Sequence, residues 1–116
     1  MLSYANLGLG DRPAALKEAR IAAAMNPKDP QSRKLLARLL DASGDQAHAI
    51  AEYKQCLLLD DEDAQTHCDL AAALADVGNL SEAIVHYSRA LQINPDLSAA
   101  QEGLVRAQRQ LQRGRP

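Results

Sequence analysis

The chain has 116 residues and 47% hydrophobic residues, enough for one ordinary domain with a core and no more. Its apolar residues are mostly Ala and Leu, with no Phe or Trp and only three Tyr, so the strand-favouring types are scarce and packed helices follow. The net charge of −2 conceals three blocks: residues 1–59 hold eight basic and six acidic groups, 60–102 one and nine, 103–116 four and none. Blocks of this kind arise from solvated faces and helix-end preferences, or from charge-selective partner binding.

No stretch approaches the roughly 18 apolar residues of a spanning helix, and Met1-Leu2-Ser3-Tyr4 lacks the basic-then-apolar order of a signal peptide. The expectation is a soluble, cytoplasmic chain. Cys56 and Cys68 have neither disulfide-scaffold nor zinc-finger spacing.

Gly10, Gly44 and Gly78 recur every 34 residues. The same shift aligns Leu2, Leu36 and Leu70, then Asp11, Asp45 and Asn79, then Ala15, Ala49 and Ala83, and it carries Pro27 through Asp61 to Pro95. Each period therefore reads as helix, turn, helix, turn. In this register Met1 stands at the sixth position of a repeat, so the first helix, with Tyr4, Leu7 and Gly8, is clipped to about two turns. A clipped repeat leaves apolar surface uncovered. At about 25 cal/mol per Å² this favours a homodimer through the N-terminal end, whether the chain is a fragment of a longer array or begins with a half-formed repeat.

The second period predicts helices over 30–43 and 46–59, with Asp29 as N-cap and Pro30 at the first helical position, where its missing N–H has no intrahelical bond to lose. The third predicts 64–77, with a stripe of Leu70, Ala71, Leu74 and Val77, and 80–93, with Leu80, Ala83, Ile84, Tyr87, Ala90 and Leu91 on one face. Asp63 caps the former and Asn79 the latter, while Asp60, Asp61 and Glu62 suit the positive end of a helix. Gly78 supplies the left-handed residue between them. A last helix over 98–112 begins with Ser98 and Gln101 at capping-box spacing and shows Leu104, Ala107 and Leu111 on one side, Gln and Arg on the other. It has the composition of a solvating terminal helix.

Leu70, Ala71, Leu74, Gly78, Ala83, Tyr87, Ala90 and Pro95, and in the previous period Leu36, Ala37, Leu40, Gly44, Ala49, Tyr53, Cys56 and Asp61, closely resemble the tetratricopeptide repeat pattern. The departures are an aliphatic residue at the first aromatic position of both repeats, and Cys56 and Asp61 at the usual Ala and Pro. The resemblance implies an all-α fold: a right-handed superhelical array of antiparallel helix pairs, about two and a half to three repeats plus a capping helix. The chain would be a single domain divided into a clipped repeat 1–29, repeats 30–63 and 64–97, a solvating helix 98–112 and a tail 113–116.

In this family the first helix of each repeat lines a concave groove. Carried onto this chain, the groove positions are Tyr4 and Leu7; Gln31, Lys34, Leu35, Arg38, Asp41 and Ala42; Gln65, Cys68, Asp69, Ala72, Ala75 and Asp76; and Glu102, Arg106, Arg109 and Gln110. Some family members grip a peptide's C-terminal carboxylate with Asn and basic residues where this chain has Leu35 and Asp69, so that mode does not fit. A mixed-charge extended peptide or a partner helix fits better, Ala72 and Ala75 leaving room for its side chains. The alternative is that these charges pair between adjacent helices.

Little else in the sequence suggests chemistry. His48, His67 and His86 are spaced by 19 residues, but the 34-residue register puts His48 and His86 at different positions of second helices and His67 on a first helix, so convergence on a metal is not expected. His67 and Cys68 are neighbours that point about 100° apart on a helix, and Cys56 reads as a small core residue. There is no phosphate-binding Gly loop or nucleophile elbow. The groove positions are divided by an acidic helix and lack stacking aromatics, which argues against nucleic acid. The reading is a non-catalytic scaffold or adaptor without cofactor or metal that binds a protein or peptide; self-assembly is the alternative.

Overall fold

The computed structural model of the chain describes residues 12–114. Its regular structure there is six helices and no strand: α1 Arg12–Met25, α2 Pro30–Ala42, α3 Gln46–Leu59, α4 Ala64–Asp76, α5 Leu80–Ile93 and α6 Ser98–Arg113. The clipped first helix, Tyr4 and the proposed dimer seam lie outside the described residues. The chain divides into two compact units, Met1–Leu59 and Asp60–Pro116.

In the first unit α2 packs against both α1 and α3. The stripe Leu36, Ala37 and Leu40 meets Ala49, Tyr53 and Cys56 of α3 in the buried core, to which α1 adds Ala19 and Ala23. Cys56 behaves as a small core residue whose thiol donates to the Pro30 carbonyl at 3.6 Å. In the second unit α5 packs against α4 and α6, and α6 also touches α4. Its core is Leu70, Ala71, Ala73 and Leu74 of α4, Ala83, Tyr87 and Ala90 of α5, and Ala100 and Ala107 of α6. Alanine at the points of contact allows the helix backbones to approach closely.

The caps of α2 and α4 follow from sequence. Asp29 accepts from the Gln31 amide at 3.1 Å and from the Ser32 hydroxyl at 2.9 Å. Asp63 accepts from the Gln65 and Thr66 amides at 3.1 and 3.3 Å and from the Thr66 hydroxyl at 2.8 Å.

Three local expectations are corrected. Ser43 and Val77 are C-caps rather than last helical residues. Asn79 stands at the N-cap of α5, but its side-chain amide donates to Glu82 at 2.9 Å and caps no backbone N–H. For α6 the N-cap is Leu97, not Ser98. Asn94 closes the preceding turn by accepting from the Asp96 amide on its side chain and from the Leu97 amide on its carbonyl, both at 3.2 Å, so the helix starts before a Ser98 cap could form. Gln101 reaches back to the Pro95 carbonyl at 2.7 Å instead.

The two interhelical turns are alike. Gly44 and Gly78 have φ of 88° and 90°. The Gly44 amide donates to Asp41 and the Asp45 amide to Leu40, as the Gly78 amide donates to Ala75 and the Asn79 amide to Leu74. This double closure is a Schellman ending, and it needs a left-handed residue. A Cβ built on either glycine meets nothing within 4 Å, so the requirement is conformational rather than steric. Gly44→Val and Gly78→Val are each expected to lower stability by about 1–2 kcal/mol, and the Asn substitutions by clearly less, in urea denaturation followed by circular dichroism. Equal losses for Val and Asn would count against the conformational origin.

Candidate functional site

In the first unit, Lys34, Arg38 and Asp41 follow one another at helical spacing along α2, away from the buried Leu36–Leu40 stripe. Lys34 and Asp41 are half-buried, while Gln31 and Arg38 are exposed. Leu35 is 53% exposed beside them. Elsewhere in this unit a cleft of about 500 Å³ is bordered by Arg20, Arg33, His48 and Glu52 over Leu36 and Leu40. Two of its charged groups are paired: Arg33 Nη1 donates to Glu52 at 2.9 Å, and the His48 ring lies 2.8 Å from Asp45, holding that carboxyl below its ordinary range.

In the second unit α4 carries Gln65, Asp69 and Ala72, half-buried, and Asp76, exposed. The Gln65 side-chain amide donates to Asp69 at 3.0 Å. Cys68 is only 5% exposed, and burial, aided by the charge of Asp69, pushes its thiol above the usual range. A buried thiol held protonated is a poor nucleophile. Glu102, Arg106 and Arg109 run along one exposed face of α6 with Val105 between them.

Five predicted groove residues of this unit, Ala72, Ala75, Asp76, Arg106 and Gln110, come together around a notch of about 110 Å³. Its lining also includes Tyr87, Gly103 and Ala107, which the groove positions did not include. A Cβ on Gly103 would overlap the Tyr87 ring and hydroxyl, so the missing side chain makes the space in which the phenol lies. Burial raises the phenol's pKa above its ordinary value, Cys68, Asp76 and Asp69 adding to the effect and Arg106 opposing it. The notch has room for one aliphatic side chain and is well below the roughly 300 Å³ of a drug-sized ligand site. A glycine amid the Ala, Gln and Arg of α6 was the available sign of this close approach.

The expectation for the histidines is overturned in part. His67 Nδ1 and His86 Nδ1 are 3.1 Å apart, and His67 Nε2 is 3.1 Å from the Asp61 carbonyl. Positions 67 and 86 lie one period after 33 and 52, and Arg33 donates to Glu52 at 2.9 Å and to the Pro27 carbonyl at 3.0 Å. Both pairs span one helical hairpin and tie its first helix to the preceding turn. The expectation failed because it compared the histidines with each other along the repeat instead of asking which positions face across a hairpin. His48 stays apart with Asp45.

Antiparallel helix pairs closed by Gly44 and Gly78 over Ala-rich contacts define a helical-repeat protein. Tetratricopeptide repeat models match residues 34–63 and 64–97, more than half of the chain, which belongs to the tetratricopeptide repeat family. Comparison with curated proteins gives no match. Among solved structures, the type III secretion chaperone SycD of Yersinia enterocolitica, in complex with a peptide of the translocator YopD, is 17% identical with a TM-score of 0.82, covering 94% of this chain and 88% of that one. The first repeat domain of Spaghetti (RPAP3), bound to the HSP90 peptide SRMEEVD, is 18% identical with a TM-score of 0.86, covering 93% and 86%. The repeat domain of Sgt2 from Aspergillus fumigatus is 18% identical with a TM-score of 0.84, covering 94% and 74%. At these identities the likeness is one of fold.

Proposed function

We propose that the chain is a non-catalytic interaction module that binds a mixed-charge extended peptide or partner helix. Each unit offers its own candidate contact residues: Gln31, Lys34, Arg38 and Asp41 in the first, and Gln65, Asp69, Ala72, Asp76, Glu102, Arg106 and Arg109 in the second. The observation that carries this reading is the notch between α4 and α6, where Ala72 and Ala75 leave room beside the carboxylate of Asp76 and the guanidinium of Arg106. An aliphatic side chain flanked by a basic and an acidic residue fits that combination of space and charge. The peptides bound by SycD and by the RPAP3 domain show that proteins of this fold accept peptide ligands.

Selection of random peptides against the chain is expected to yield sequences with one aliphatic residue between charges of opposite sign. Ala72→Leu, which fills the notch, should weaken the selected peptides at least about tenfold, the cost of one apolar side chain losing its site, with an unchanged helical spectrum. Affinity unaltered by Ala72→Leu, measured by fluorescence polarisation, would overturn the assignment of the notch.

A further inference from the structure

The geometry points to a single proton shared between His67 and His86, so that the clip joining α4 to α5 opens when a second proton is taken up. The Asp61 carbonyl can only accept, so His67 Nε2, 3.1 Å from it, carries a proton. Neutral His67 then presents a lone pair at Nδ1, and the 3.1 Å approach of His86 Nδ1 is a hydrogen bond only if His86 donates. On its far side His86 Nε2 lies 3.8 Å from a Glu82 carboxylate oxygen, which favours a proton there too. Between the two Nδ1 atoms there is a place for one proton and not for two.

A metal ion is the other way to join two imidazole nitrogens, and the ring positions decide against it. The ring centroids are 5.3 Å apart and the planes 25° from parallel. An imidazole nitrogen lies about 1.1 Å from its ring centre, so two rings meeting head to head through a linear N–H···N bond have centroids about 5.3 Å apart, whereas a tetrahedral ion about 2.0 Å from each nitrogen folds them to about 5 Å or less. The rings point at each other along one line instead of converging on a third point.

The acid response follows from what surrounds the pair. His67 is 6% exposed, and the His86 side chain 19%. The charged groups within a turn of the pair along the chain come from both helices: Glu82 and Arg89 on α5, Asp63 at the head of α4 and Asp69 within it. Asp63 is bonded to Thr66 and Gln65, Asp69 to Gln65, and Arg89 to Glu62 at 3.2 Å, while Glu82 stands at the outer nitrogen of His86. Glu82 stabilises a first positive charge on the pair. A second, on His67 Nδ1, would set two N–H donors and two cations face to face in a half-buried site. A second proton can enter only by breaking the Nδ1–Nδ1 contact, which the unfolded chain does not hold, so acid favours the unfolded chain at this pair. The corresponding Arg33–Glu52 clip in the first unit has no such limit.

The test uses the whole chain, its His67→Arg/His86→Glu variant, which copies the Arg33–Glu52 pair, and ¹⁵N-histidine NMR of the wild type. The wild-type melting temperature is expected to drop between pH 7 and pH 5 by about 4–8 °C more than that of the variant, the shift typical of one hydrogen-bonded contact in a unit of this size. His48 and the carboxylates outside the pair are common to both proteins and cancel. Independently of whether the variant folds, the wild-type spectrum at pH 7 should show His67 protonated at Nε2 only and His86 protonated at Nδ1. Parallel melting profiles, an Nδ1–H on His67 at pH 7, or equimolar zinc raising the wild-type melting temperature would each overturn the proposal.

Discussion

Gly103→Ala is expected to destabilise the chain by about 2 kcal/mol, although alanine is the better helix former. Two effects oppose each other at this position. A glycine in a helix interior costs about 1 kcal/mol relative to alanine, so the substitution begins with a gain of that size. Against it, the added Cβ would overlap the ring and hydroxyl of Tyr87, a residue only 5% exposed and enclosed by its neighbours. The overlap falls on the far half of a rigid ring rather than on a flexible chain end, so the ring must turn off its rotamer or α6 must move outward. Overpacking of this kind costs about 1–3 kcal/mol, and contact with two ring carbons and the hydroxyl oxygen puts it at the upper end. Urea denaturation of Gly103→Ala, Tyr87→Leu and the double variant checks the cause. If the ring is responsible, the penalty of Gly103→Ala shrinks or reverses in the Tyr87→Leu background, a coupling of more than about 1 kcal/mol. Additive losses would show that the two residues do not compete for space.

Helix order was legible in the sequence because the repeat states it several times over. Gly44 and Gly78 are required by left-handed backbone, and Leu36, Leu40, Leu70 and Leu74 mark the buried stripes, so errors at single positions did not move the elements. The cap of α6 was placed on Ser98 rather than Leu97 because Ser98 and Gln101 satisfy the capping-box spacing, while the competing turn through Asn94 is set by backbone geometry that spacing does not encode. The candidate site was less legible. A single residue pattern places Ala72, Asp76 and Arg106 on helix faces, but that they border one notch depends on how closely α4 and α6 approach over Tyr87. The histidine pair was missed for a related reason: its partners are 19 residues apart across a hairpin, and only the oppositely charged Arg33 and Glu52 one period earlier marked those positions as facing each other.

The same internal repetition provides a control for the second large effect, at Asp63. Asp29 and Asp63 occupy equivalent caps, each accepting from a backbone amide and from a hydroxyl three residues on. Loss of the cap alone costs about 1 kcal/mol in either place. The hydroxyls differ. Ser32 is half-buried and can turn to water when Asp29 is removed, whereas Thr66 is 0% exposed, and every buried side-chain polar atom among the described residues has a partner in the native chain. Asp63→Ala therefore leaves a buried hydroxyl unsatisfied, which adds about 1–3 kcal/mol. The expected losses are about 1 kcal/mol for Asp29→Ala and about 2–4 kcal/mol for Asp63→Ala. Adding Thr66→Val to Asp63→Ala removes the stranded hydroxyl and should recover part of the difference, while Ser32→Ala added to Asp29→Ala should recover almost none. Urea titrations of the four variants distinguish this account from a purely electrostatic one, in which the acidic turn at Asp60, Asp61 and Glu62 would soften the loss at Asp63 and the two aspartates would rank the other way.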